Sequence, residues 1–334
     1  MCTVRKRYKL LIGITFFVLL LLGILLLEND YMMQEREVTI QTENEDLNGF
    51  MALPKEKGEG VVIFVHGDGP QNATQDGGYK PLMERFAKEG FASVSWAKPG
   101  VDGSQGNWLD QSMDDRAKEV ENVINWVKKQ ETINSEKIIL WGTSQAGWVI
   151  PKIQQNRQDI AASILVAPAI NWLRQGEYYT AEKLKREGKS PEEILILLNK
   201  DRKESELIRT GASYQEYVKE TGDRSLSEER YIFAQKNILA DATSDIKKIN
   251  SPVHVILAGE DRNVDSNETA KTYKKILPKS QVTVKTIPNV EHSMLNPSLD
   301  NSQTLIYLSA IFAPKHTLVS DAYLDYCQKL VRQL

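Results

Sequence analysis

Polar and apolar positions divide the chain into three regimes. From Leu10 to Leu27 no charged residue occurs. Beyond Asp30, short apolar or β-branched runs alternate with stretches of helical period. Val38 to Thr42, Gly49 to Leu53, Val61 to Val65 and Phe91 to Trp96 predict strands, and Pro81 to Lys88 predicts a helix. Ser112 followed by Asp115 is a capping signal, and it opens a helix from Met113 to about Lys129 whose Val120, Val123, Ile124 and Val127 share one face. Ile138 to Leu140 and Ala162 to Ala167 predict further strands. Such alternation requires a mostly parallel sheet with helices on both faces. From Asn171 to about Asp245 the pattern becomes charged and helix-forming, with helix starts at Ser190-Pro191-Glu192-Glu193 and at Ser213 followed by Glu216. Strands return at Val253 to Leu257 and Val282 to Ile287, with a helix between them from Asn267 to Leu277. The expected architecture is α/β, with a helical insertion at about 171–245 sitting above the strand ends as a cap.

As a helix, the uncharged run would rise roughly 27 Å, close to a hydrocarbon core of about 30 Å. Leu27-Glu28-Asn29-Asp30-Tyr31-Met32-Met33 offers no small-residue cleavage site, so residues 10–27 are expected to remain as a membrane anchor. Arg5, Lys6, Arg7 and Lys9 precede the run while Glu28 and Asp30 come after it, which places the N-terminus in the cytoplasm and the remainder outside the cell. Residues 1–30 then form a basic stub and anchor, and 31–334 one domain ample for a buried core. A net charge of −3 argues against a nucleic-acid partner. Cys2 and Cys327 fall on opposite sides of that membrane and cannot pair within the chain. An external domain without disulfides fits a bacterial surface. No metal-ligand spacing and no phosphate-binding glycine loop stands out, so neither metal nor cofactor is expected.

The chemistry begins at Ile138-Ile139-Leu140-Trp141-Gly142-Thr143-Ser144-Gln145-Ala146-Gly147, the sequence form of a nucleophile elbow. A serine on a sharp strand-to-helix turn needs small residues two before and two after it, and Gly142 and Ala146 fill those places. Its hydroxyl is a poor nucleophile until a base takes the proton, so a histidine and an orienting carboxylate should lie downstream. There are four histidines. His66 ends a strand before the elbow, His254 lies within one, and His316 stands in a segment with no other catalytic signal. His292, in the loop after Val282 to Ile287, is the candidate base. Asp261, in Leu257-Ala258-Gly259-Glu260-Asp261 just past an apolar strand, is the candidate acid, with Asp265 as its rival. His66-Gly67-Asp68-Gly69-Pro70 comes after another strand, so the amides of Asp68 and Gln145 are the expected oxyanion donors.

With these residues in this order, the chain resembles the α/β-hydrolase superfamily from about Val38 to about Phe312. His66-Gly67-Asp68-Gly69-Pro70, Trp96-Ala97-Lys98-Pro99-Gly100-Val101-Asp102-Gly103-Ser104, Trp108 and Ser112-Met113-Asp114-Asp115 look like the esterase and dienelactone-hydrolase-like branch, with prolyl-oligopeptidase affinities. That branch commonly shows an aspartate, a basic residue, an arginine and a glycine where this chain reads Ala97, Lys98, Pro99 and Gly100. The resemblance implies an α/β-hydrolase fold and a Ser144–His292–Asp261 triad acting on a small-molecule carboxylic ester or thioester. Peptidase or acyltransferase action on the same triad, or a catalytically silent surface binding protein, are the alternatives. Trp108, Trp148, Trp172, Tyr178 and Tyr179 are candidates to line an acyl pocket.

Overall fold

In the computed structural model, which describes residues 2–43, 45–56, 58–299 and 302–334, eight strands form one sheet. The chain enters through α1 (Cys2–Glu28) and makes a hairpin of β1 (Gln34–Gln41) and β2 (Asp46–Leu53). It then alternates through β3 (Gly60–Val65), α2 (Lys80–Lys88), β4 (Phe91–Trp96), α3 (Met113–Val127), β5 (Ile138–Thr143), α4 (Ile150–Gln154) and β6 (Ile160–Val166). The insertion after β6 contains α5 (Trp172–Arg186), α6 (Pro191–Arg209), α7 (Tyr214–Thr221), α8 (Glu228–Asn237) and α9 (Thr243–Ile246). The chain closes with β7 (Val253–Ala258), α10 (Ser266–Ile276), β8 (Val282–Ile287), α11 (Gln303–Phe312) and α12 (Asp321–Gln333).

The strand order is β1-β2-β4-β3-β5-β6-β7-β8, with antiparallel pairing only at β1/β2 and β2/β4. From β4 to β8 all pairs are parallel, so their C-terminal ends share one edge, the edge where α/β sheets carry ligands. Side chains alternate between two buried layers. Val61, Ile63, Val65, Ile138 and Leu140 pack with Val120, Val123, Ile124 and Val127 of α3 on one face. Val62, Phe64, Ile139 and Trp141 pack with Leu82, Met83 and Phe86 of α2 and with α12 on the other. The helix starts obey their caps: Ser112/Asp115, Ser190/Glu193 and Ser213/Glu216 each form the reciprocal pair of hydrogen bonds.

Some element bounds differ from those expected from the sequence, among them β2, which starts at Asp46 rather than Gly49. β1 begins at Gln34 rather than Val38, because Gln34 to Glu37 pair with Phe50 to Leu53 through backbone alone while their side chains stay exposed. α3 stops at Val127. α11 and α12 were not expected, although Tyr323, Leu324, Cys327, Leu330 and Val331 recur at helical spacing and are buried. Cys327 is free, and burial pushes its thiol far above the usual range. The side chains of Cys2, Arg5, Lys6 and Arg7 lie outside those described. Lys9–Glu28 of α1 has a mean hydropathy of 3.1 and no buried residue, and it is long and apolar enough to cross a membrane.

Candidate active site

Ser144 stands where β5 gives way to a tight turn, with φ of 54°, the left-handed region that costs a non-glycine residue about 1–2 kcal/mol. The surroundings hold it there. A Cβ on Gly142 would lie 2.6 Å from the Ala146 Cβ, so only one of these two positions can carry a methyl group. A Cβ on Gly147 would lie 2.6 Å from the Ala169 carbonyl oxygen, which explains why a glycine comes after the alanine. The Ser144 carbonyl accepts from the Ala169 amide at 3.1 Å, tying the elbow to the loop after β6. Gly142→Ala is expected to cost about 2 kcal/mol by overpacking, and Ala146→Gly in the same chain to recover part of it. Urea unfolding checks this, and an unchanged midpoint for the single variant would contradict the steric account.

His292 and Asp261 come from the loops after β8 and β7. The His292 Nδ1 lies 2.9 Å from Asp261 Oδ2 and 3.1 Å from Oδ1, and Asp261 Oδ1 also accepts from the amides of Asn263 at 2.8 Å and Val264 at 2.9 Å. The acid side chain is 1% exposed and that of the histidine 15%, so the carboxylate is fixed while the ring keeps an open edge. Asp265 does different work: it caps α10, accepting from the amides of Asn267 at 2.9 Å and Glu268 at 3.2 Å. The other histidines are spoken for. His66 is buried against the Trp96 carbonyl and the Tyr79 hydroxyl, and burial together with the Lys98 charge pushes it down to about 3, so it stays neutral. His254 meets Thr283 at 2.8 Å on the β7/β8 face, and His316 approaches Glu28.

Ser144, His292, Asp68 and Asn263 line two adjoining pockets, of about 290 and 400 Å³. Ser144 and the His292 ring share these walls without a hydrogen bond between them. Unliganded sites often hold such pairs loosely and tighten on substrate. A Cβ on Gly67 would stand 3.3 Å from the Thr143 carbonyl oxygen, which brings the loop after β3 against the elbow. Among the described residues, the amides of Asp68 and Gln145 have no protein acceptor.

The sequence reading missed what holds that loop. Gln145 donates to Asp68 Oδ1 at 3.0 Å, and Arg116 donates both to Gln145 Oε1 and, at 2.7 Å, to the His66 carbonyl. Lys98 donates to the Gly67 carbonyl at 2.5 Å, and Arg230 on α8 makes a two-point ion pair with Asp68. Lys98 and Arg116 are buried. Desolvation, aided by the Arg116 charge, pushes Lys98 well below the usual lysine range, and desolvation also lowers Arg116. Burial would raise the Asp68 carboxyl, but the Arg230 hydrogen bonds and charge outweigh it and lower its pKa. One signal was available: Arg116 interrupts the apolar face of α3 between Met113 and Val120. The aromatic candidates divide. Trp148 and Trp172 stack at 5.3 Å and line the larger pocket with Tyr179. Tyr178 instead holds the Asp261 carbonyl at 2.7 Å, and Trp108 lies beneath Lys98 and Arg230, outside both pockets.

A serine on a strained turn, an imidazole held by a carboxylate and two open amides are the parts that acyl transfer to a hydroxyl requires. On a mostly parallel sheet with these parts at its C-terminal edge, they define an α/β-hydrolase. Residues 56–298 match the model of the family described as serine aminopeptidase, S33, and the chain belongs to that family of hydrolases. Similar solved structures include an esterase of Pyrococcus furiosus, at 16% identity and a TM-score of 0.56, covering 90% of both chains. Est1E from Butyrivibrio proteoclasticus, in a structure with ferulic acid bound, is 16% identical with a TM-score of 0.56, covering 89% of this chain and 96% of that one. The α/β hydrolase GrgF from Penicillium sp. sh18 is 16% identical with a TM-score of 0.55, covering 85% and 99%. At these identities the likeness is one of fold. An uncharacterized 31.7 kDa protein of Escherichia coli, from the traX-finO intergenic region, is 35% identical over 65 residues; the chain spans only 22% of its length.

Proposed function

We propose that the chain is a serine hydrolase that cleaves carboxylic esters or thioesters through an acyl-enzyme. The observation that carries this reading is the His292–Asp261 pair at 2.9 Å, with its open ring edge in the pockets that Ser144 lines. With Nδ1 donating to Asp261, the neutral ring presents a lone pair at Nε2. Ser144 Oγ attacks the carbonyl carbon as its proton passes to Nε2, and the amides of Asp68 and Gln145 receive the oxyanion. The imidazolium then protonates the departing alcohol or thiol. Water, deprotonated by the same nitrogen, releases the acid and restores Ser144. The helical insertion contributes Trp172, Tyr179 and Arg230 to the larger pocket and so acts as a cap over the substrate.

The family's description favours a second reading, an aminopeptidase. Binding a substrate's α-ammonium needs a carboxylate whose charge is not already balanced. Asp68, the carboxylate among the described residues that lines both pockets, is engaged by Arg230, which supports the ester reading. A fluorophosphonate probe is expected to label the wild-type chain at Ser144 and leave Ser144→Ala unlabelled. p-Nitrophenyl esters should then turn over much faster than aminoacyl p-nitroanilides. Faster anilide cleavage would transfer the assignment to the peptidase, and no labelling of a folded sample would leave a silent binding protein.

The same reading places α1 across a membrane with the hydrolase outside, supported by the hydropathy of Lys9–Glu28 and by the basic residues that precede it. The full chain is expected to resist carbonate extraction and to be open to protease added to intact cells. Removal of residues 1–30 should give an active protein in the soluble fraction. Extraction of the full chain by carbonate is the outcome that would sink the anchor.

A further inference from the structure

α11 has no place in either core layer. From Ser302 to Pro314 the sequence carries no charge. Tyr307 is 69% exposed, Ile311 62% and Phe312 70%, with Leu305 and Leu308 about half exposed. At about 100° per residue these five side chains fall on one face roughly 160° wide, with the half-buried Ile306, Ser309 and Ala310 on the other side, and an exposed apolar face of that width calls for an apolar surrounding. No described part of the domain supplies one, and a patch of this kind marks an interaction surface.

What covers it is indicated by where it ends. The Lys315 amide donates to Asn29 Oδ1 at 2.9 Å, and His316 Nε2 lies 4.0 Å from the carboxylate of Glu28, the last residue of α1. The C-terminal end of α11 is therefore pinned to the point where the candidate anchor ends. With ten residues it rises only about 15 Å, half of a hydrocarbon core, so it can lie in a bilayer surface but not cross it. Tyr307 and the lysine beyond its end suit the boundary between acyl chains and headgroups. We propose that α11 is a second membrane contact, embedded in the outer surface of the bilayer that α1 crosses, and that it holds the Ser144 pocket against the lipid. The second half comes from the connections after α11. Val319 bridges to Leu295, the Ser320 amide donates to the Met294 carbonyl at 2.9 Å, and Met294 and Val319 wall the smaller pocket with Ser144 and His292.

This inference rests on the anchor reading of α1, and its test separates the two. The full chain, with Cys2→Ser and with Cys327 buried beyond reach of reagents, is given single cysteines at Phe312→Cys, at Ile196→Cys on the exposed side of α6, or at Leu20→Cys in α1. Each is labelled with bimane in vesicles of phosphatidylcholine and phosphatidylglycerol. Doxyl lipids quench from within the bilayer and iodide from the water. The Phe312 probe is expected to be quenched several-fold more by shallow doxyl lipid, and several-fold less by iodide, than the Ile196 probe. Ile311→Cys provides a second exposed position. If the Phe312 and Ile311 probes respond to iodide as Ile196 does, the proposal fails. If they are shielded from iodide without lipid quenching, a protein covers α11 and the lipid assignment is overturned. The Leu20 probe reports separately: quenching by deep doxyl lipid upholds the anchor whatever α11 does, and its absence removes the anchor and with it the shared bilayer, a failure distinct from that of the α11 probes.

Discussion

Ser144→Ala is expected to lower kcat for p-nitrophenyl esters by about 10⁶, leaving only what the open amides and binding provide. The nucleophilic oxygen is lost, and the neighbouring hydroxyl, that of Thr143, belongs to the end of β5, one residue short of the turn. The fold should be indifferent to the change. The Ser144 side chain makes no hydrogen bond, and alanine adds nothing to the crowded approach of Gly142 and Ala146. Stability within about 0.5 kcal/mol of the parent, measured by urea unfolding beside the kinetics, separates loss of chemistry from loss of structure. A folded variant retaining a tenth or more of the parent's activity would remove Ser144 from the mechanism.

Asp261→Asn is expected to cost about 10⁴ in kcat, and the hydrogen bonds give the reason. Oδ1 of Asp261 receives two backbone amides, from Asn263 and Val264. An asparagine keeps its oxygen on those donors, so its NH₂ takes the place of Oδ2, the atom 2.9 Å from His292 Nδ1. Two donors cannot share a proton. The imidazole must carry its hydrogen on Nε2 instead, the nitrogen that has to accept from Ser144. Asp265→Asn is the matched control, because asparagine caps a helix about as well as aspartate and the α10 start should lose only tenths of a kcal/mol. Near-normal turnover in Asp261→Asn with a dead Asp265→Asn would exchange the two roles.

Much of this was open to reading because the chemistry stands at strand ends. Strands buried on both faces announce themselves as unbroken apolar runs, and the residues just past each run must lie on the same edge of a parallel sheet. Ser144, Asp261 and His292 could be named on that ground, and the structure brings the last two into contact. The choice between Asp261 and Asp265 rested on one turn of chain, and the capping bonds of Asp265 could be anticipated from its place before Asn267. The support beneath the loop after β3 was legible only in the break that Arg116 makes in the apolar face of α3. Arg230 and Asp68 are 162 positions apart, and nothing local to either residue points to the other. Lys98 entered only through the resemblance to the esterase branch, and the sheet order, with β4 between β2 and β3, buries it with Arg116 beside Gly67 and Gln145. Polar strand ends such as Gln34 to Glu37 escape any pattern because backbone pairing alone defines them.

The helical insertion bears on how this scaffold can change. β6 ends at Val166 and β7 begins at Val253, so residues 167–252 form one excursion between adjacent strands. Closing a loop costs only with the logarithm of its length. Relative to a connection of about ten residues, this one is about three doublings longer, or about 2 kcal/mol. Its helices offset part of that through a small core of their own around Ile208, Tyr217 and Tyr231. The length of the segment that walls the larger pocket thus costs little to change, provided that Phe233, Ala242, Ile246 and Ile249, which pack into the core layer of the sheet, keep their places. Among the attachments that any replacement must still supply are two that reach the site: a cation where Arg230 meets Asp68, and a donor where Tyr178 holds the Asp261 carbonyl.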